Sequence, residues 1–414
     1  MLDGFLFSLF IAASAQLSLT APAGDVELWR AAESGLDVPE KAYAKELSAR
    51  LQSTNPYDRL LALKRLRALP ALVSPELTRR LADLASEDVK LFDSKECLEE
   101  HSAGVAVDCP MTTIGNYARL VLLQLPSDRV ATVMVERVLQ DPNAAEALAP
   151  LVANVYGDRA SALVPELKRA KTVEQQSAML LLATELDCAA SDVDVASLKP
   201  FLMSTSEPVR VRAALVVLKR SDGCDHTAAP VGGGAREQAT RIVADAVDRD
   251  QPPSILADLH RIGTAASPAI PSLLKRLDKD VRVLVVLGGI KFRARTTAPR
   301  LAAMLEDPAH KAVHRDVLKA LSLIRPGPEQ VRQAILASVQ RQSSLLPEGA
   351  RALADIEAPV NAGELEYLSR LYRTQCKADN AQYSFRKQSD CHTTNSALTS
   401  LAARSGLRFE ARVP

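Results

Sequence analysis

Cysteine and histidine are the residue types in this sequence whose spacing could support metal or redox chemistry. Six cysteines fall in three close pairs, and each pair has a histidine between or beside its members. The pairs are Cys97 with Cys109, Cys188 with Cys224, and Cys376 with Cys391. The first pair encloses His101, but a gap of 11 residues between its thiols and the lack of a fourth ligand argue against zinc.

A disulfide framework explains the cysteines better than a metal site does. The sequence has no C-x-x-C motif, which zinc ribbons and thioredoxin-like redox proteins need. An even number of thiols is typical of an oxidising compartment. We favour the local pairing because each pair flanks a stretch with the composition of a loop. The sequence therefore predicts three disulfides.

Other patterns that could support catalysis are incomplete. His310 and His314 have the spacing of a zinc pair, but Lys311 stands where a metalloprotease motif has glutamate. The run 232–234 of three glycines lacks the Lys-Ser or Lys-Thr of a phosphate-binding loop, and no G-x-S-x-G elbow is present. We predict no catalytic residue, no bound metal and no cofactor.

Residues 281–341 have an unusual charge balance, with 11 lysines and arginines against four carboxylates, a local excess of seven positive charges. Within this stretch, alternate cations at Lys291, Arg293 and Arg295, with Arg300 nearby, could converge on a phosphate, a carboxylate or an acidic protein surface. The alternative is a solvated basic face that acidic residues elsewhere balance.

The chain as a whole is nearly neutral, with 51 basic and 50 acidic residues and a formal net charge of +1. No global field is available to hold a polyanion, so we predict that nucleic acid is not a partner. We expect instead a protein or another anionic component of the cell envelope.

The first 15 residues are typical of a signal peptide. An apolar run from Phe5 to Ile11 precedes the small residues Ala13-Ser14-Ala15, and cleavage after Ala23 is an alternative. Asp3 and the lack of an early lysine or arginine depart from the usual pattern, so a buried N-terminal helix is the other interpretation. Together with the paired cysteines, the run predicts an exported, periplasmic or secreted protein without a transmembrane segment.

The composition and periodicity of the chain predict helices nearly throughout. Apolar residues make up 47% of the sequence but aromatic residues only 4%, which suits stacked helices better than sheets. Apolar residues recur three or four apart, and turns are expected where an acidic residue or asparagine precedes proline. These turns are Asn55-Pro56, Asp141-Pro142, Glu207-Pro208 and Asp307-Pro308. Helices of roughly 10 to 16 residues joined by such turns form antiparallel pairs.

Parts of the sequence repeat. Residues 156–167 are similar to residues 262–273, and a weaker third copy places Pro299 28 residues after Pro271. A chain of 414 residues that repeats in this way is expected to stack helix pairs in a line.

These repeats resemble the HEAT and HEAT-like family, whose units have a proline near the start of one helix, an acidic turn, and Val-Arg at the start of the next. Three places match, at Pro200 with Val209-Arg210, Pro271 with Val281-Arg282, and Pro299 with Val313 and Arg315. The resemblance implies an all-α solenoid in which turn carboxylates and Arg210, Arg282 and Arg315 form a ladder between repeats.

We predict the following division of the chain: signal peptide 1–15, N-terminal cap and first repeats 16–90, disulfide-linked insertion 91–112, repeat solenoid 113–375, and disulfide-linked C-terminal cap 376–414. Because no catalytic constellation is found, we predict a non-catalytic scaffold that binds a partner through its concave or basic face. The alternative is a HEAT-like enzyme or accessory subunit, such as a base glycosylase or a lyase. The sequence does not predict the oligomeric state.

Overall fold

The computed structural model describes residues 40–87, 113–156, 163–186, 195–222, 233–376 and 385–409. Four of the six cysteines lie outside these ranges, namely Cys97, Cys109, Cys188 and Cys224. The signal peptide and the insertion 91–112 also lie outside them, so those predictions remain predictions. The described segments are helices joined by turns and form no β-sheet.

The chain divides into two compact units. The first unit contains four described helices: α1 (Glu40–Leu51), α2 (Pro56–Ala68), α3 (Pro75–Leu84) and α4 (Ile114–Leu122). Helix α4 packs against α2 and α3, so the start of the predicted repeat region 113–375 belongs with the first unit.

The described part of the second unit begins at Pro126 and contains the remaining described helices. They are, in order, α5 (Ser127–Gln140), α6 (Ala144–Leu148), α7 (Val152–Tyr156), α8 (Leu163–Leu167), α9 (Val173–Thr184), α10 (Val195–Leu202), α11 (Glu207–Asp222), α12 (Gly233–Arg249), α13 (Ile255–Ile262), α14 (Ile270–Arg276), α15 (Val283–Ile290), α16 (Ala298–Glu306), α17 (His314–Ile324), α18 (Pro328–Arg341), α19 (Leu346–Asp355), α20 (Ala362–Gln375) and α21 (Phe385–Arg404). Several are shorter than predicted, because short 3-10 segments such as Gly263–Ala269 and Lys291–Thr297 occupy part of the repeat.

The second unit is an α-solenoid of antiparallel helix pairs of the HEAT-like kind, as predicted. From α9 onward each odd-numbered helix packs against the next odd-numbered helix, and it also packs against an even-numbered neighbour. A helix that contacts neighbours on several sides is buried nearly all round, as residues 177–184 of α9 and 213–218 of α11 are. Each pair therefore depends on its neighbours for its core.

The predicted turns mark the helix boundaries. Helices α2 and α11 begin at Pro56 and Glu207, and α5 and α16 end just before Asp141 and Asp307. Proline suits the first turn of a helix because the N–H groups of that turn have no acceptor within the helix. The N–H group that proline lacks is therefore not needed there. None of the described helices is both long and apolar enough to cross a bilayer.

The ladder implied by the HEAT resemblance is formed in part by other residues. Arg315 reaches the next repeat, where its Nε atom lies 2.9 Å from an oxygen of Glu348. The contacts of Arg210 and Arg282 are local instead: Arg210 donates to the carbonyl of Ser204, and Arg282 pairs with Asp280 in its own turn.

Arg276 makes the link between repeats at this turn. It lies 2.7 Å from Asp250 of the preceding repeat and 2.7 Å from Asp280 of its own turn. It also donates to the carbonyl of Val247 at the end of α12. Arg276 is at the end of α14, six residues before the Val-Arg position that the family pattern indicates.

Candidate partner-binding surface

Four successive odd-numbered helices, α13, α15, α17 and α19, end in turns that share a backbone feature. A residue with positive φ follows each helix: Gly263 (57°), Lys291 (57°), Arg325 (51°) and Glu357 (57°). Glycine adopts this conformation freely, whereas residues with a Cβ rarely do. Lysine, arginine and glutamate therefore occupy positions where the backbone favours glycine.

The turns after α13 and α15 have the same local structure. Gly263 (φ 57°, ψ −124°) and Lys291 (φ 57°, ψ −137°) each open a seven-residue 3-10 segment, and the two segments pack against each other. The first segment is built from small, uncharged residues, G-T-A-A-S-P-A, and the second has the sequence K-F-R-A-R-T-T. The neighbouring repeat thus shows that this turn forms without cations or an aromatic ring.

Four residues of the second segment are exposed to solvent. They are Lys291, Arg295 and Thr296, together with Phe292, which is 55% exposed. A lysine in this conformation costs on the order of 1 kcal/mol relative to glycine. A strained cation beside an exposed aromatic ring, where the fold requires neither, is the local pattern of a binding site.

Arg325 belongs to the same surface, although the sequence analysis did not single it out. The Nε atom of Arg295 donates a hydrogen bond of 2.9 Å to the carbonyl oxygen of Arg325, which joins the turns after α15 and α17. Arg325 is exposed, and nothing in the described part of the chain pairs with its guanidinium group. One signal could have found it: Ile324-Arg325 occupies the same repeat position as Ile290-Lys291.

The other predicted binding residues have structural contacts. Arg300 forms an ion pair with Asp278. Arg293 is half-buried, beside the buried Ala294, and has contacts of its own. Of the four predicted residues, Lys291 is the one whose side chain has no partner within the described ranges.

Most cations of the stretch 281–341 are likewise engaged. The partners not yet given are Asp316 for Lys319, Glu364 for Arg332, and the carbonyl of Leu305 for Arg341. Within residues 281–341, all of which the structure describes, the side chains of Lys291, Lys311 and Arg325 have no hydrogen bond or ion pair. Few cations of this stretch are therefore free to bind a partner.

A second charged cluster links α9, α11 and α13 and holds a buried carboxylate. Asp258 is 2% exposed and accepts a hydrogen bond of 2.9 Å from the hydroxyl of Ser254. Arg212 and Arg261 lie 3.8 and 3.9 Å from its oxygens, and Arg212 also donates to Ser177. Burial raises the pKa of Asp258, and the two arginines partly oppose that shift. This cluster ties helices of successive repeats together.

The histidines and cysteines that the sequence analysis considered as metal ligands make contacts within the fold. His314 is buried, with its Nε2 atom 3.1 Å from the carbonyl oxygen of Met304, and the Nδ1 atom of His310 lies 3.1 Å from Asp307. The described residues contain no cluster of potential metal ligands. Cys376 and Cys391 form a disulfide with a Cα–Cα distance of 5.8 Å.

An open groove of about 640 Å³ lies at the start of α17. Its lining residues are Ala309, Lys311, Ala312, Arg315, Gln342 and Leu345. Asp258 is not among them, so this groove and the buried carboxylate are separate features.

No family model and no curated protein matches the chain. Among solved structures, a Kap121p mutant aligns with a TM-score of 0.34 and 14% identity over 88% of this chain and 46% of that chain. Kap121p bound to Pho4p aligns with a TM-score of 0.28 and 13% identity over 89% and 54%. The karyopherin Kap121p bound to the SUMO protease Ulp1p aligns with a TM-score of 0.26 and 12% identity over 88% and 52%. This chain spans about half the length of these solved chains, and at such TM-scores the alignments identify no family for it.

Proposed function

We propose that this chain is a non-catalytic scaffold that captures an acidic segment of a protein partner at the turns after α15 and α17. The binding residues are Lys291, Phe292 and Arg325, and Arg295 holds the two turns together. The observation that carries the proposal is the comparison of neighbouring turns: the same backbone forms from G-T-A-A-S after α13 and from K-F-R-A-R after α15.

The chemistry of this surface suits carboxylates on a polypeptide. Lys291 and Arg325 have no acidic partner among the described residues, so each can pair with an incoming carboxylate without breaking an internal ion pair. Arginine offers a planar fork of donors that matches a carboxylate, and lysine offers a mobile point charge. Phe292 supplies an exposed ring, and aromatic residues with arginine are typical of the energetic centres of protein interfaces.

The cellular location is part of the proposal. We place the scaffold outside the cytoplasm, because residues 1–15 have the pattern of a signal peptide and the cysteine number suits an oxidising compartment. The mass of the protein from its native host, measured before and after reduction, tests this location. An intact N-terminus with no gain of hydrogens on reduction would contradict it.

An enzyme would need an acid or base that faces a cavity and its substrate. Asp258 is a buried acid, but its neighbours are Ser254 and two arginines, and the described groove lies elsewhere. We therefore propose no catalytic function for this cluster.

Single charge reversals test the binding proposal. The purified full chain is titrated with a fluorescent glutamate-rich peptide, and Lys291→Glu and Arg325→Glu are each expected to weaken binding roughly tenfold, the effect of losing a charged pair at an interface. Lys311→Glu is the matched control, because Lys311 is also exposed, unpartnered and in the same basic stretch. An equal loss in all three variants would show a diffuse basic face and contradict the proposal.

A further inference from the structure

Exposed apolar side chains occur on the helices that end in the cationic turns and directly beside these helices. Four large apolar residues that are about half exposed lie on α15 and α17 or directly beside α15: Val281 (46%), Val285 (56%), Phe292 (55%) and Leu323 (49%). Val285 lies in the first turn of α15, and Val281 lies in the turn that precedes this helix. Isolated exposed apolar residues are ordinary, but a group of them marks an interaction surface.

Two glycines of α15 lie at this surface between the neighbouring helices. A Cβ atom on Gly288 would lie 3.1 Å from Cδ1 of Leu323, and one on Gly289 would lie 2.7 Å from Nδ1 of His260. Leu323 of α17 and His260 of α13 therefore flank the Gly-Gly pair of α15 on opposite sides. Because the glycines have no side chains, these two neighbours pack directly on the backbone of the middle helix.

The lack of charge on α15 is specific to this part of the repeat series. When the helices are aligned on their positive-φ residues, Val285 takes the place of Ala257 in α13, Lys319 in α17 and Arg351 in α19. Gly289 takes the place of Arg261 in α13, Leu323 in α17 and Asp355 in α19. Each neighbouring helix thus has at least one charged residue at these two positions, whereas α15 has none.

Two positions of this surface, Gly289 and Leu323, each lie shortly before an unpartnered cation in the sequence. Lys291 follows Gly289 by two residues, and Arg325 follows Leu323 by two residues. A ligand lying along α15 and α17 would meet the exposed side chains of Val285 and Leu323 first and positive charge at the helix ends. A small anion would leave these apolar side chains uncovered, and an apolar segment would leave the two cations without partners.

We infer that the partner segment is an acidic amphipathic helix, with apolar residues that pack on Val285, Gly289 and Leu323 and carboxylates that pair with Lys291 and Arg325. This inference rests on the proposed function and specifies its partner. A helix of this kind places apolar side chains three and four residues apart on one face, so they can pack on the exposed apolar side chains while carboxylates on either side of that face reach the two cations.

Two synthetic peptides of equal length and equal negative charge test the inference with the full chain. One has leucines at helical spacing among glutamates, and the other has serines in place of the leucines. The leucine peptide is expected to bind roughly tenfold more tightly, which corresponds to the burial of about one apolar side chain. Fluorescence anisotropy measures both affinities.

Variants of the protein locate the effect. Val285→Ala with Leu323→Ala is expected to remove the advantage of the leucine peptide and leave the serine peptide unaffected. Val173→Ala with Leu123→Ala removes the same atoms from similarly exposed residues elsewhere and is expected to change neither affinity. Gly289→Gln, which adds a polar side chain to this face of α15 and displaces the ring of His260, is expected to weaken binding of the leucine peptide while helix content is kept.

The outcomes separate the two proposals. Equal affinity of the two peptides would overturn the amphipathic partner and leave the acidic-segment proposal standing. Binding of neither peptide would overturn both. Tight binding to anionic phospholipid vesicles that the leucine peptide cannot displace would make the surface a membrane contact and also overturn the inference.

Discussion

At the scale of single residues, the informative position is Lys291, where the backbone and the side chain have opposite requirements. Gly263 shows which residue this conformation favours, because the two positions share φ 57° and nearly the same ψ. Selection for stability alone would place glycine at both. A lysine that lowers stability here is explained if its charge serves binding, since functional sites commonly retain strain.

We expect Lys291→Gly to raise the free energy of unfolding by about 1 kcal/mol, because glycine removes the strain of positive φ. The reciprocal change Gly263→Lys should lower it by a similar amount. A Cβ atom at Gly263 would come no closer than 3.6 Å to another atom, so the cost is conformational rather than steric. Urea denaturation of the two variants measures both changes, and a loss of stability in Lys291→Gly would contradict the strain argument.

At the scale of elements, contacts at the turns keep successive repeats in register. Asp280 pairs with Arg282 of its own turn and with Arg276. Arg276 also pairs with Asp250 of the preceding repeat. Hydrogen bonds from Arg282, and then from Arg276, lower the pKa of Asp280 below its ordinary value. Because the folded state favours the charged carboxylate, Asp280 stabilises the fold above the unfolded pKa of about 4.

We expect Asp280→Asn to lower the free energy of unfolding at pH 7 by roughly 1–3 kcal/mol, the usual range for a lost hydrogen bond to a charged group. The stability contributed by Asp280 is lost as the pH falls through its lowered folded-state pKa. The difference between wild type and variant should therefore shrink as the pH falls below about 4. Denaturation curves between pH 7 and pH 3 measure it, and a difference that stays constant would rule out the ionised pair as its source.

The fold could be predicted from sequence to the extent that local signals set it. Proline after an acidic residue or asparagine marks the boundaries at Pro56, Asp141 and Asp307, because proline restricts the chain wherever it occurs. The position of Arg276 gave no such signal, since a contact between repeats depends on how helices stack. The alternate cations of the stretch from Lys291 to Arg295 drew attention to Lys291. The shared repeat position of Ile290-Lys291 and Ile324-Arg325 was the one sequence signal for Arg325, because a positive φ at a residue other than glycine leaves no mark in the sequence.

At the scale of the whole molecule, the charge is nearly balanced in total but uneven along the chain. The net charge of +1 hides an excess of seven in residues 281–341, and most of those cations are held by internal partners. Such an arrangement gives a short-range site rather than a long-range field. Steering of a distant polyanion needs many unpaired cations on one face, whereas capture of a short acidic segment needs only a few.

We therefore expect binding of the acidic amphipathic peptide to depend on salt only moderately, with affinity falling several-fold as ionic strength rises from about 0.05 to 0.3 M, over which the Debye length shortens to less than 10 Å. The apolar contacts should preserve the rest of the binding affinity, because salt screening does not weaken apolar contacts. Duplex DNA, added as a competitor at equal phosphate and carboxylate concentration, should not displace the peptide. Displacement by DNA, or complete loss of peptide binding in moderate salt, would show that long-range attraction dominates and that the prediction of a partner other than nucleic acid is wrong.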